Sequence, residues 1–69
     1  MTKYKEGDYV NFSAIDEFTG QEYSVVGRIV GRANELGNPE WSEAPDDVYV
    51  VYSDRLNRRF VVNEFEIED

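Results

Sequence analysis

The sequence predicts an all-β domain, a five-stranded barrel or roll with one long acidic loop. Three observations predict it. Short segments rich in valine, isoleucine and aromatic residues recur along the chain, clusters of glycine, aspartate and asparagine separate them, and no segment has the apolar spacing of an amphipathic helix. A chain of 69 residues allows a single domain over residues 1–69, with residues 1–6 expected to be flexible and residues 33–47 expected to form the loop.

The first strand is expected over residues 9–15, where alternation places three apolar side chains on one face: Val10, Phe12 and Ala14. Residues 16–21 supply turn-forming side chains. The second strand, over residues 22–32, is long and is interrupted by Gly27 and Gly31. Because glycine inside a strand pattern is typical of a bulge or a sharp bend, we expect the chain to bend here and close a small barrel.

The loop of residues 33–47 contains both prolines, the single tryptophan and five carboxylates, with no lysine or arginine. Connections of this length in a compact domain are usually functional or disordered. Residues 48–53 give the clearest strand, residues 54–58 a polar hairpin connection, and residues 59–62 a fourth strand. Residues 64–68 alternate as a short last strand that is half-buried at Phe65 and Ile67. The expected core comprises Val10, Phe12, Ile29, Val50, Phe60, Val62 and Ile67.

Composition argues against an enzyme. The chain has no histidine and no cysteine, which removes the common general bases, nucleophiles and transition-metal ligands. Carboxylate pairs need an enclosed site to separate their pKa values, and so small a chain encloses little. The loop carboxylates also lack the ligand spacing of an EF-hand. We therefore expect no catalytic residues, no cofactor and no metal site.

The same composition bears on location. No apolar run approaches the roughly 18 residues that a membrane-spanning helix needs. The first residues of the chain lack the apolar segment of a secretory signal, and the absence of cysteine removes any disulfide framework. We expect a cytoplasmic protein that does not contact a membrane.

The order of the strand motifs carries a resemblance. Residues 7–10 are Gly-Asp-Tyr-Val, residues 27–30 are Gly-Arg-Ile-Val, and further strands follow at residues 48–52 and 60–67. This order resembles SH3-like small barrels of the KOW and Tudor types, in which a Gly-Asp-x-Val entry precedes a Gly-x-Ile/Val strand. The resemblance covers nearly the whole chain and implies fold more than function. Small size and acidity also resemble the accessory proteins of bacteriophages and mobile elements, which implies an inhibitor or an adaptor.

Charge points to a basic partner. Seven lysines and arginines stand against 15 aspartates and glutamates, a net charge of −8. Such a field favours basic surfaces and repels polyanions. We expect a non-enzymatic protein-binding module that occludes or recruits a basic, nucleic-acid-handling protein. Its expected contact residues are Trp41, Glu40, Glu43, Asp46, Asp47, Tyr49 and Tyr52. Trp41 itself is open to two interpretations, a cap on the end of the barrel or an interface anchor.

An RNA- or DNA-binding barrel is the alternative. Arginines cluster around the predicted hairpin and on a neighbouring strand, and the candidate contacts are Arg28, Arg55, Arg58 and Arg59. Tyrosine and phenylalanine rings nearby could stack on bases. The acidity argues against this alternative, because phosphate contacts supply most non-specific affinity.

The acidity itself has two explanations. One is a merely soluble surface, and the other is imitation of a phosphate charge pattern that a nucleic-acid-binding partner recognises. The candidate patch is Glu35, Glu40, Glu43, Asp46 and Asp47, extended by Glu64, Glu66, Glu68 and Asp69.

Overall fold

The computed structural model describes residues 4–68, which fold into five antiparallel strands joined by turns. The strands are β1 (Tyr9–Ile15), β2 (Glu22–Arg32), β3 (Val48–Ser53), β4 (Arg58–Asn63) and β5 (Ile67–Glu68). They form one sheet in the order β4-β3-β2-β1-β5. Three short 3-10 turns complete the described chain, at Ala33–Glu35, Pro39–Trp41 and Glu64–Glu66. The predicted all-β class is confirmed.

The β1–β2 hairpin is held by its turn. The carboxylate Oδ1 of Asp16 accepts hydrogen bonds from the backbone N–H groups of Phe18 (2.7 Å) and Thr19 (3.1 Å). The N–H of Gly20, which has φ 75°, donates to the Asp16 carbonyl at 2.8 Å. This turn fixes the pairing register, from Ile15 opposite Glu22 to Tyr9 opposite Arg28.

The sheet does not close into a barrel. Its edge strands are β4 and β5, and no pairing within residues 4–68 joins them. The sheet is instead strongly curled. The ring centroids of Phe12 on β1 and Phe60 on β4 lie 5.2 Å apart, although strands three places apart in a flat sheet are separated by about 14 Å. Of the two expected forms, a barrel or a roll, the closed barrel is not formed, and the expected five strands make one open, curled sheet.

The predicted bulge lies in β2. Its pairing with β3 shifts between Ile29, which is opposite Val51, and Gly31, which is opposite Val50. Earlier in the same strand, Gly27 permits close contact between β2 and β3. A Cβ atom at Gly27 would lie 2.5 Å from Cγ1 of Val51 and 2.9 Å from the carbonyl oxygen of Tyr52. The two glycines of β2 thus have different structural roles, one at the bulge and one at a close approach.

The main core lies on the concave face of the sheet. Its buried members are Val10, Phe12, Val25, Ile29, Tyr49, Val51, Val62 and Ile67. Phe60 packs at the margin of this cluster and is half-buried. Phe65, expected to be half-buried in the last strand, lies in a 3-10 turn instead and is 82% exposed.

A second, smaller cluster lies on the opposite, outer face. Ala33, Val48 and Val50 are buried there, and the loop side chains of Trp41 and Ala44 pack against them. Val50 is therefore buried as expected, but on the outer face. Because the loop covers one face of β3 and the main core covers the other, β3 is buried on both sides.

The described part of the first residues is packed. The Tyr4 ring makes an edge-on contact with the Tyr49 ring, with centroids 5.7 Å apart. The Gly7 N–H donates to the Ile29 carbonyl at 2.9 Å. Residues 1–3, which belong to the segment expected to be flexible, lie outside the described residues.

Candidate functional site

The acidic loop is attached to the sheet by its tryptophan. Trp41 is half-buried against the cluster of Ala33, Val48 and Val50, so its indole packs on the outer face of the sheet and is still partly accessible. The ring therefore packs on the sheet and keeps part of its surface accessible, and its use as an interface anchor stays a prediction.

Arg32 joins the two ends of the loop. Its guanidinium forms ion pairs with Glu35, near the start of the loop, and with Asp46, near its end, the latter at 3.8 Å. The side-chain amide of Asn34 adds hydrogen bonds to the Ala44 carbonyl (2.9 Å) and to Asp46 (2.8 Å). Polar contacts at its ends and Trp41 in its middle therefore attach the loop to the sheet.

The remaining loop carboxylates face solvent. Glu40, Glu43 and Asp47 are exposed, and within residues 4–68 none of them forms an ion pair. The Asp47 carbonyl accepts a hydrogen bond of 2.8 Å from the N–H of Glu64, so the loop ends beside the last 3-10 turn. At this junction the backbone of Asp47 lies in contact with the backbone of Glu64.

The other acids proposed for the patch are dispersed. Glu64 is half-buried and accepts a hydrogen bond of 3.3 Å from the Tyr49 hydroxyl. Glu66 caps its own turn by accepting from Asn63. Glu68 accepts from the Ser13 hydroxyl at 3.2 Å, on β1. Asp69 lies outside the described residues.

The two tyrosines expected at the partner-binding surface occupy opposite faces of β3. Tyr49 is 0% exposed in the main core, so its ring is not available to a partner. Tyr52 points to the outer face, is half-buried, and donates from its hydroxyl to the Asn57 side chain in the β3–β4 hairpin. Only Tyr52 of the pair contributes to an accessible surface.

The arginines proposed for nucleic-acid binding are also divided. Arg28 and Arg59 lie on the outer face, since both are paired directly with Tyr52, one from each neighbouring strand. Arg58 alternates with Arg59 and is therefore on the concave side of the sheet. Its guanidinium lies 4.6 Å from the centroid of the Phe60 ring. Arg55 is exposed in the hairpin turn.

A row of four outer-face residues crosses the sheet. Tyr9 on β1 is opposite Arg28 on β2, Arg28 is opposite Tyr52 on β3, and Tyr52 is opposite Arg59 on β4. Directly paired residues in antiparallel strands point to the same face, with Cβ atoms about 5 Å apart. Tyr9, Arg28, Tyr52 and Arg59, here called the outer row, therefore form an alternating series of aromatic and cationic side chains.

The outer row continues into the loop. A groove of about 200 Å³ lies where Arg59 approaches Trp41, and its other lining residues are Val30, Leu36, Asn38 and Val50. The row and the loop carboxylates are thus neighbouring parts of one surface, with Trp41 between them.

Tyr9 is the member of this surface that sequence patterning missed. The residue is 69% exposed, and its position in the row depends on a pairing register that links positions 9, 28, 52 and 59. Alternation with the inward-facing Val10 predicts from the sequence that Tyr9 points outward. The sequence does not show which residues lie beside Tyr9 on the neighbouring strand.

Two kinds of feature were not found in the part of the chain that the structure describes. Within residues 4–68, no group of three or more acidic side chains is arranged to hold a metal ion. Over the same residues, no helix has the length and apolar character needed to cross a membrane. Comparison with known proteins found no matching family model, no matching curated protein and no matching solved structure.

Proposed function

We propose that this protein is a non-enzymatic binding module that holds a basic surface of a partner protein against the loop of residues 33–47. The observation that supports the proposal is the pairing pattern of the loop acids. Arg32 engages Glu35 and Asp46, which ties the two ends of the loop together, while Glu40, Glu43 and Asp47 stay exposed on either side of Trp41 in the sequence.

A loop held in this way favours binding. A partner that meets a preordered loop does not incur the entropy cost of ordering it, which for flexible side chains is about 0.5–1.5 kcal/mol each. Trp41 supplies a partly exposed aromatic ring of the type enriched at interface hot spots. The carboxylates steer a basic partner toward it, because opposite charges accelerate encounter.

The mode of action belongs to the same proposal. A small module of this kind acts by covering a basic site on a partner or by recruiting the protein that carries the site. A nucleic-acid-handling protein offers such a site. The proposal also includes an SH3-like family, a cytoplasmic location and an origin as a phage-encoded inhibitor. The acidity and the strand order are consistent with these parts of it.

Affinity capture with matched charge variants tests it. The baits are the wild-type chain, a loop variant with Glu40→Gln, Glu43→Gln and Asp47→Asn, and a control with Glu6→Gln, Glu17→Gln and Glu22→Gln. Both variants lose three exposed carboxylates. We expect the loop variant to lose the captured protein and the control to retain it. The purified partner should then associate with the loop variant at least about tenfold more slowly, with a smaller change in dissociation.

Two results would contradict the proposal. If both variants weaken binding equally, only total charge matters and the loop is not the site. If the affinity of the wild-type chain is the same at about 50 and 300 mM salt, charge steering is absent and the acidity serves solubility.

A further inference from the structure

We propose that the outer row is a separate binding site for single-stranded nucleic acid. This inference goes beyond the proposed function, because it uses a different set of side chains and a ligand of opposite charge. It rests on three observations: the alternation of aromatic and cationic residues, the freedom of the two guanidiniums from carboxylates, and the exposure of three members of the row, with Tyr52 half-buried.

The alternation matches the repeating chemistry of a single strand. Tyr52 has an arginine on each side, Arg28 and Arg59, at the spacing of neighbouring strands, about 4.8 Å. A base stacked on the Tyr52 ring would have its flanking phosphates within reach of the two guanidiniums. Tyr9 lies beyond Arg28, about 10 Å from Tyr52, and provides a second stacking ring.

The guanidiniums of the row are not used within the fold. Among residues 4–68, the ion pairs all involve Arg32. Arg28 and Arg59 are exposed and make no ion pair with any described residue. Charge complementarity with a phosphate backbone is therefore available at both positions without breaking an existing contact.

Among residues 4–68, no carboxylate pairs with a guanidinium of the row, and the loop carboxylates lie beyond Trp41 at the Arg59 end. Glu22 is at the far end of β2, opposite Ile15, about 20 Å along the strand from Arg28. Glu68 is engaged by the Ser13 hydroxyl. Asp54 follows β3 directly, two residues and about 7 Å from Tyr52, and forms no ion pair with a described residue. The net charge of −8 weakens long-range attraction, but at a physiological ionic strength of about 0.15 M charges more than about 8 Å away are screened, so contacts at the row are then governed by local charge.

Stacking selects a single strand over other anions. Bases in a duplex are stacked on one another and do not offer a face to Tyr9 or Tyr52. An acidic peptide could pair with Arg28 and Arg59 but would leave the tyrosine rings without a flat partner. The combination of rings and guanidiniums favours unpaired bases with their phosphates.

Fluorescence anisotropy with a labelled oligothymidylate of about 12 nucleotides tests the site, since single-strand sites span about 4–16 nucleotides. We expect binding at about 50 mM salt that weakens about sevenfold by 200 mM, the change produced by two phosphate contacts on a single strand. Tyr52→Ala should weaken binding at least about fivefold, and Arg28→Gln with Arg59→Gln should abolish the salt dependence.

Matched controls separate the row from total charge and total aromatic content. Lys5→Gln with Arg55→Gln removes two exposed cations off the row, and Phe18→Ala removes a ring that is 98% exposed in the β1–β2 turn. Both controls should bind like the wild-type chain, and circular dichroism should show that all variants are folded.

Three results would overturn the inference: no binding at about 50 mM salt, equal loss in the row and control variants, or equal affinity for a duplex or a polyglutamate peptide of matched charge. The loop variant of Glu40, Glu43 and Asp47 should retain oligonucleotide binding. The row variants therefore test nucleic-acid binding by the outer row, and the loop variant tests the proposed function. Each proposal can fail without the other.

Discussion

At the scale of single residues, Trp41 links stability with recognition. Its indole covers Val48 and Val50 on the outer face and remains partly exposed beside the groove that Arg59 lines. A ring in this position contributes to folding through the area it buries and to binding through the area it leaves accessible. Substitution therefore affects both properties, and the size of the stability change measures how much of the ring is used for packing.

Trp41→Ala should lower the free energy of unfolding by about 2 kcal/mol, less than the 3–5 kcal/mol of a fully buried tryptophan. Chemical denaturation monitored by circular dichroism measures this difference. Phe18→Ala is the matched control, because that ring is 98% exposed, and it should change stability by less than about 0.5 kcal/mol. Equal losses in the two variants would show that Trp41 does not pack on the second cluster.

At the scale of secondary-structure elements, the last strand is short but completes the core. β5 has two residues, and its pairing places Ile67 opposite Phe12 and Glu68 opposite Asn11. Ile67 is 8% exposed in the main cluster, whereas Phe65 is 82% exposed two residues earlier. The capping box formed by Asn63 and Glu66 turns the chain between them, so that one of these two apolar residues is directed inward.

Ile67→Ala should therefore lower the free energy of unfolding by about 2–3 kcal/mol, as expected for a buried isoleucine. Phe65→Ala removes a larger side chain and should change it by less than about 0.5 kcal/mol. Urea denaturation of both variants tests the difference. A larger loss for Phe65→Ala would place that ring, and not Ile67, in the core.

The elements themselves could be predicted because their signals are local. The strands at Tyr9–Ile15, Glu22–Arg32 and Val48–Ser53 have the predicted bounds, since alternation and turn residues determine each one separately. The fourth strand is longer than predicted by one residue at each end, and the β2 bulge lies at one of the two glycines proposed for it.

The arrangement of the site could be predicted only in part, because it depends on pairing between distant segments. Composition identified Trp41 and the loop acids, but not the way Arg32 pairs with two of them. Whether Tyr49 or Tyr52 faces outward depends on register and on which face the loop covers. Adjacent positions in β3 are both apolar or aromatic, so alternation alone does not separate them.

At the scale of the whole molecule, charge opposes compactness. The chain carries a net charge of −8, and ion pairing within residues 4–68 is confined to Arg32. Surface carboxylates that lack cationic partners repel one another, and folding brings them closer together. Salt reduces this repulsion and should stabilise the fold.

Raising sodium chloride from about 20 to 500 mM should therefore raise Tm by several degrees, because 1 kcal/mol corresponds to about 4–8 °C for a domain of this size. Differential scanning fluorimetry measures the shift. The variant with Glu40, Glu43 and Asp47 neutralised should show a smaller rise. A Tm that falls with salt would mean that favourable ion pairs outweigh repulsion in the folded chain.

The pairing of β1 with both β2 and β5 has a consequence for how the protein is made. β2 follows β1 within a few residues and can pair with it as soon as both have been synthesised. The contact between Ser13 and Glu68 joins positions 55 residues apart, so the second edge of β1 gains its partner only after almost the whole sheet has left the ribosome. Until then that edge is open to wrong pairing with other chains. The sheet is thus complete only when β5 has emerged, because closing so long a loop is needed before this pairing can form.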